Sequence, residues 1–509
     1  MYWREHNMDY GWGFYWTHFN TTTITYDNGT VVTYENINEI TAIWYIEAYS
    51  DSSHYYEPYL YSFRFKNWNP YEGGTYEKDP LNGYAYGPMF IYGLYIISLF
   101  VSLFNPGMSR AALISNSVKW THIVFDSFCV IMLYLVIISL KSFKEKKIKK
   151  HSFGFLGATV FLFMPINLLY VDSLYLNTPQ MTFFTLLCFL LFIKEKYRSS
   201  AFFLAIAWLS KQMPLFLLIP WFLIIWKKDS LKKALLDFVF PFLVTTFLIS
   251  LPWLFMSPYS YIWRVFGPGK PLATVDLSLI RNTVTLAHTI KFLGKPGFAT
   301  TYAKINSYMI PFLAIYVIIV LISYFRGNKI GNDESVNTIF TSWILIGTHL
   351  FISRGVYKYY NAFLTPFVIL SFLVFLDTQI SSLVSKKMEI RSSEEKKEKG
   401  TAKERVFSLK LDNFKEMLLF LSFILSCAVF YYWNWVVIVK DRNLHPLFLL
   451  VLFVVISVLI PSDLYRSLIT KQSYKMIKLD VIEIYKQSIQ WMKEVKERIQ
   501  TKRLKTKLE

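Results

Sequence analysis

Long apolar runs alternate with short polar breaks along this chain, and most runs have a similar length. Segments at 119–140, 152–171, 177–193, 234–255, 308–324, 335–353, 358–377, 416–440 and 446–461 are each long enough for a helix across a hydrocarbon core of about 30 Å. The run 200–226 is too long for one straight helix and is interrupted by Ser210-Lys211-Gln212-Met213-Pro214, which predicts two short helices meeting in a V. The pattern predicts an all-α polytopic membrane protein with about 11 transmembrane segments plus outer juxtamembrane helices.

Basic clusters orient the bundle. Lys141–Lys150, Lys194–Arg198, Lys227–Lys233, Arg326–Lys329, Lys386–Arg405 and the C-terminal tail all belong on the cytoplasmic side. One threading satisfies all of them: 200–226 crosses twice and the apolar stretch 88–104 lies in the outer leaflet without crossing. Residues 1–118, 256–307 and the turn at Arg354 then face outward. Five regions follow: an outer first loop with juxtamembrane helices (1–118), a transmembrane core (119–377) with outer loop 256–307, a charged cytoplasmic linker (378–415), two further spans (416–462) and a basic amphipathic tail (463–509). Residues 1–87 contain no signal peptide or span. Their outward placement implies either a first transmembrane helix upstream of Met1 or export by a downstream helix. The sequons Asn20-Thr21-Thr22 and Asn28-Gly29-Thr30 agree with an outer location.

Composition narrows the class. With 54% hydrophobic and 17% charged residues among 509, the chain is not one soluble domain. Its net charge of +19 sits largely beside apolar segments, the positive-inside pattern, so nucleic acid is not the expected partner and membrane lipid is. Cys129, Cys188 and Cys427 lie in apolar runs without metal-ligand spacing, so neither a disulfide framework nor a metal site is expected.

The candidate chemistry gathers on the outer face. Asp51-Ser52-Ser53-His54-Tyr55-Tyr56-Glu57, Asn67-Trp68-Asn69-Pro70-Tyr71 and Tyr84-Ala85-Tyr86-Gly87-Pro88 place acids and aromatics beside the bundle. This arrangement suits a polar group whose lipid tail stays in the bilayer. Carboxylates accept protons from an attacking nucleophile and cations stabilise a departing phosphate. Lys211, standing between two apolar runs, is an intramembrane charge with an expected partner or function. Arg354 and Lys358 cap a helix on the same face, and Arg264, Lys270, Arg281, Lys291 and Lys295 lie in the outer loop. Asp126, one turn from His122, is expected to pair with a neighbouring helix, and His349 to be a hydrogen-bonded core residue.

These motifs resemble those of the C-type (GT-C) membrane glycosyltransferases, which include polyprenyl-phosphate-mannose-dependent mannosyltransferases. The elements that match are the acid-and-aromatic first loop, the Asn-Pro-Tyr element, Tyr86-Gly87-Pro88, and Asn177-Thr178-Pro179-Gln180 followed by Ser210-Lys211-Gln212-Met213-Pro214 and Pro220, over roughly residues 50–370. The resemblance implies Asp51 as catalytic base, with Glu57 and Asp9 as the other candidates. Asp9 enters because the family's acid follows a first transmembrane helix that is missing here. It implies donor-phosphate binding by Lys211, Arg354 and Lys358, and substrate contacts from His54, Tyr56, Tyr86 and Gln212. It names no cofactor.

The expectation is a multi-pass enzyme of the cell membrane with its active site outside, a hexosyltransferase. It would move a hexose such as mannose from a polyprenyl- or dolichyl-phosphate carrier to a glycan, lipid or protein. The alternatives are a transporter or flippase of polyprenyl-linked sugars, and a structural membrane subunit of a surface-assembly complex.

Overall fold

The computed structural model describes residues 19–25, 31–37, 55–71, 84, 86–144, 147–168, 171, 175–265, 283–284, 290, 293–307, 334–351, 356–377 and 450–451. The body is helical. In chain order it comprises α1 (Glu57–Phe65), α2 (Pro88–Phe104), α3 (Arg110–Ser139), α4 (Lys147–Leu162), α5 (Pro179–Ile193), α6 (Tyr197–Ser210), α7 (Leu218–Lys228), α8 (Leu231–Met256), α9 (Pro258–Val265), α10 (Pro296–Ser307), α11 (Glu334–Phe351) and α12 (Tyr360–Asp377). Among the described residues three helices, α3, α8 and α12, are long and apolar enough to cross a membrane, and α2 and α5 are shorter apolar helices. The predicted spans 308–324 and 416–440 lie outside the described residues.

Two small antiparallel sheets join the helices. β1 (Phe19–Thr25) pairs with β2 (Val31–Ile37) in register Phe19↔Ile37 to Thr25↔Val31, and β3 (Thr283–Val284) pairs with β4 (Val356–Tyr357). The helical reading of the chain did not include them. Their signal is local: β-branched Thr, Ile and Val run on either side of Asp27-Asn28-Gly29, and Asn-Gly favours the positive φ of a hairpin turn.

Burial separates an inner helix from outer ones. In α12, 89% of the apolar window is buried, against 28% in α8, so α12 is central and α8 keeps Phe240, Phe247 and Phe255 on an outer surface suited to lipid. Polar bonds tie α11 to its neighbours: its Ser342 Oγ donates to the Phe367 carbonyl of α12 (2.6 Å), and Trp221 Nε1 of α7 donates to its Thr341 Oγ1 (3.1 Å). Trp221 itself stacks on Phe192 with centroids 4.7 Å apart.

The helix breaks follow the sequence. α6 stops where Lys211 turns extended (φ −163°, ψ 147°), and the chain resumes as a 3-10 turn, Met213–Leu217, with Pro214 in its first turn. The segment expected as a span at 152–171 differs: α4 starts earlier, at Lys147, and stops at Leu162, where Pro165 cannot continue its hydrogen bonding.

At the basic end of the bundle, ion pairs knit the helix ends. Lys228 pairs with Glu195 (2.7 Å), Arg198 with Asp237 (2.8 Å) and Lys233 with Asp229 (3.2 Å), while the Lys141 backbone N–H donates to Glu334 Oε1 (2.6 Å). The Lys228 ammonium holds the Glu195 carboxyl below the usual glutamate range. Clusters that the charge pattern assigned to one side therefore do meet there.

Candidate functional site

Three of the sequence motifs converge at the other ends of α5 and α6. Gln180 Nε2 donates to the Met89 carbonyl (2.6 Å) and approaches Ser210 Oγ (3.4 Å), joining the first residues of α2, α5 and the last of α6. The approach is close enough to demand glycine. A Cβ on Gly87 would collide with the Leu209 backbone, and one on Gly93 would reach within 2.5 Å of Gln180 Oε1. α2 therefore packs directly behind Lys211.

Lys211 is the centre of the site and is 1% exposed. Its Nζ donates to Asn177 Oδ1 (2.6 Å) and lies 3.4 Å from the centroid of the Tyr360 ring and 6.0 Å from that of Tyr86. A buried ammonium needs such compensation, and an amide oxygen with aromatic faces supplies part of it. Tyr56, wholly buried, completes the wall: it stacks on His122 (5.9 Å, 14°), meets Phe90 edge-on (5.0 Å), and its hydroxyl accepts from the Asn177 backbone N–H (3.4 Å). Just before Asn177, Tyr175 adopts a left-handed backbone (φ 51°), a conformation that costs a bulky residue about 1 kcal/mol. His122 Nδ1 is 2.7 Å from the Val118 carbonyl, and His349 Nδ1 is 2.8 Å from the Leu345 carbonyl. His349 stacks on Phe363 in the turn that carries Tyr360, the core role the sequence assigned it.

An aromatic layer packs beside this cluster. Tyr71 hydroxyl donates to the Tyr86 carbonyl (2.8 Å) and Tyr84 hydroxyl to the Gly87 carbonyl (2.9 Å). Burial pushes both phenols well above their ordinary pKa, so they stay neutral donors. The Asn-Pro-Tyr element is structural: Asn69 Oδ1 accepts from the Tyr71 backbone N–H (3.0 Å) and Nδ2 donates to Ser257 Oγ (3.0 Å). Arg264, grouped by sequence with phosphate-seeking cations, is 3% exposed and donates to the Pro70 carbonyl (3.0 Å).

Of the predicted site residues, Tyr56, Tyr86 and Lys211 come together. Gln212 follows directly at the head of the Met213–Leu217 turn, and Glu57, half-buried, opens α1 next to Tyr56. Lys358 begins the 3-10 turn Lys358–Phe363 that delivers Tyr360. Asp9, Asp51, His54 and Arg354 lie outside the described residues, as do Asp172, Lys270, Arg281 and Lys291. Tyr360 and His122 were not placed at the site by sequence; they reach it only through contacts distant in the chain. Among the described residues no three His, Cys, Asp or Glu side chains are grouped to hold a metal ion. Cys129 Sγ faces the Pro179 carbonyl (3.3 Å) and Cys188 Sγ the Ser200 carbonyl (2.9 Å), both in packed surroundings.

Residues 51–267 match the family of the GPI transamidase subunit PIG-U. No curated protein matches the chain. The PIG-U match covers rather less than half of the sequence, yet it begins at Asp51 and contains Tyr56, Tyr86, His122, Asn177 and Lys211, while Tyr360 lies beyond it.

This match corrects the functional expectation. The resemblance to polyprenyl-phosphate-dependent mannosyltransferases, and with it the hexosyltransferase activity and the dolichyl- or polyprenyl-phosphate sugar donor, gives way to similarity with a transamidase subunit. The transport alternative falls with the same donor. The reason lies in what the motifs encode. An acid-and-aromatic loop over a helix broken at a lysine builds a polar enclosure at a membrane, and that enclosure does not depend on a bond being made there. The chain is a multi-pass membrane protein, but the PIG-U match gives no support for the cell membrane as its location.

Proposed function

We propose that this chain is a membrane subunit of a GPI transamidase and that the Lys211 cluster contacts the lipid-linked substrate. The observation that carries the reading is the PIG-U match over the segment whose motifs build the cluster. Depth supports it. α5 and α6, of 15 and 14 residues, rise only about 22 and 21 Å between the basic ends and Lys211, short of a hydrocarbon core of about 30 Å. The cluster thus sits where the head of a lipid can reach it from the outer leaflet. The matched family is named for a subunit of the transamidase, and among the described residues Cys129 and Cys188 face backbone carbonyls. We therefore assign this chain to substrate holding and the bond-making step to a partner subunit.

In this reading Glu57, which opens α1 beside Tyr56, and the preceding Asp51 and His54 act as contacts to substrate or partner. Lys358 stands at the turn that carries Tyr360, and Arg354, four residues earlier in the sequence, is a further proposed contact. The full bundle has about 11 spans, the linker and tail face the cytoplasm, and the protein resides in the membrane where GPI anchors are attached to proteins, that of the endoplasmic reticulum. The test is affinity purification of the tagged full chain from mild detergent. Recovery of the other transamidase subunits in stoichiometric amounts is expected; a chain that purifies without them would overturn the assignment.

A further inference from the structure

The corner between α2 and α3 sets an exposed apolar tip beside cations that have no acid to answer them. Along the last turns of α2, Leu99, Phe100, Leu103 and Phe104 are exposed, the last two by 72% and 77%, and the turn 105–107 beyond them is exposed as well. Such a tip is at home only in an apolar surrounding. Three cations stand at its base. Arg64, half-buried in the last turn of α1, donates from Nη1 to the Ser98 carbonyl of α2 (2.6 Å), one residue before Leu99. Its guanidinium lies 5.4 Å from the Phe65 ring centroid, and that of Arg110, the exposed first residue of α3, lies 5.1 Å from the same ring. Lys66, also exposed, holds its Nζ 5.4 Å from the Tyr61 ring.

Cation–π contacts orient these groups without neutralising them. Among the described residues no carboxylate pairs with Arg64, Lys66 or Arg110, whereas Arg198, Lys228 and Lys233 at the basic end each have one. In the charge-based threading the three also fall on the outer side, against the positive-inside bias. Two guanidiniums on one ring are well suited to a phosphate, and the phosphate that arrives with acyl chains to cover Leu103 and Phe104 belongs to a phospholipid.

We propose that the Arg64–Phe65–Arg110 corner binds the phosphate of an anionic phospholipid in the leaflet that α2 enters, with the exposed end of α2 packed on its acyl chains. Ser98 anchors Arg64 beside the helix end, and Arg110 reaches the same headgroup from the start of α3. A zwitterionic lipid would bring its own ammonium against these cations, so the corner selects for net negative charge. Each cation near a membrane surface is worth roughly fivefold in that preference. This lipid sits at the rim of the bundle, and its binding does not depend on whether the Lys211 cluster holds substrate.

The test is site-resolved photolabelling of the full chain in phosphatidylcholine nanodiscs that contain phosphatidylglycerol or phosphatidylcholine bearing the same photoactivatable acyl chain. Peptide mass spectrometry should find residues 99–104 labelled by the phosphatidylglycerol probe at least about fivefold over the other, with the excess shrinking in high salt. Labelling at Phe247, on the outer surface of α8, supplies the reference for plain lipid exposure. Arg110→Gln, at an exposed position, should cut the excess several-fold, Arg110→Lys should keep most of it, and Arg64→Gln with Arg110→Gln should bring it near unity. Equal labelling of 99–104 by the two probes in the parent would overturn the proposal. Labelling there by both probes far below that at Phe247 would mean that protein covers the tip, and would overturn the lipid occupant. An unchanged excess in the folded double variant would remove the residue assignment. Loss of the excess on adding soluble glycerol phosphate would make this a site for free phosphate and equally contradict the proposal.

Discussion

The Lys211 ammonium lies 3.4 Å from the centre of the Tyr360 ring, which joins the break after α6 to the turn before α12. The C-terminal end of α6 and the start of α12 thus meet through a cation and an aromatic face in the interior of the bundle. A charge in that position is tolerated because Asn177 and the ring replace water around it, and the same contacts fix the geometry of the site.

Substitutions at this contact should separate charge from packing. Lys211→Met leaves Asn177 Oδ1 buried without its donor and should lower stability by about 1–3 kcal/mol. Tyr360→Leu removes the cation–π contact and should cost about 1–2 kcal/mol, whereas Tyr360→Phe keeps the ring face and should come close to the parent. Thermal unfolding of the purified variants in one detergent gives the ordering.

The two glycines behind Lys211 should differ in tolerance. At Gly87 the obstacle is the Leu209 backbone, which cannot yield without moving the end of α6. At Gly93 it is the end of the Gln180 side chain, which can rotate at the expense of its bond to Met89. Gly87→Ala should destabilise by about 1–3 kcal/mol or more, and Gly93→Ala by less. Equal melting temperatures for the two variants would contradict this packing.

The ion pairs at the basic end predict a weak pH and salt dependence. Because Lys228 holds the Glu195 pKa below its unfolded value, the pair contributes stability above the unfolded glutamate range. That contribution is lost as pH falls through the lowered folded value. Glu195 is largely exposed, so screening keeps the effect small: Glu195→Gln should cost under about 1 kcal/mol at neutral pH and less in high salt. Denaturation at two ionic strengths, with the parent and Glu195→Gln, measures it.

Much of the site was legible in the sequence. Pro214 and a lysine between apolar runs marked the break after α6, and Tyr86-Gly87-Pro88, Asn177–Gln180 and Ser210-Lys211 were the segments that meet in space. His122 and Tyr360 were not placed there, because their partners, Tyr56 and Lys211, lie far away in the chain and local pattern carries no record of such pairings. The β1–β2 hairpin escaped for another reason: hydropathy directed attention to long apolar runs, while its signal was alternation around an Asn-Gly turn. The activity was misread because a lysine-centred polar enclosure in a bundle identifies the kind of group held, while a catalyst and a holding subunit build it from the same residue types.

The expected placement of α2 along one leaflet has its own check. α2 buries Phe90, Ile91 and Leu94 while Leu99, Phe100, Leu103 and Phe104 stay exposed, as expected of a helix that leans from the protein into one leaflet. With Cys129, Cys188 and Cys427 replaced, Thr75→Cys and Ala112→Cys should both react with an impermeant thiol reagent added from the outer side. Labelling at 75 with protection at 112 would mean that α2 crosses.

The most direct test of the central claim is the glycolipid and protein profile of cells from which this chain has been removed. A transamidase subunit whose role is to hold the lipid-linked substrate predicts two accumulations together: complete GPI precursor lipid, and precursor proteins that retain their C-terminal attachment signal. Restoring the parent chain should clear both, and Lys211→Met should clear them less well. Accumulation of a truncated lipid lacking one sugar, with the attachment step intact for supplied complete lipid, would contradict the account.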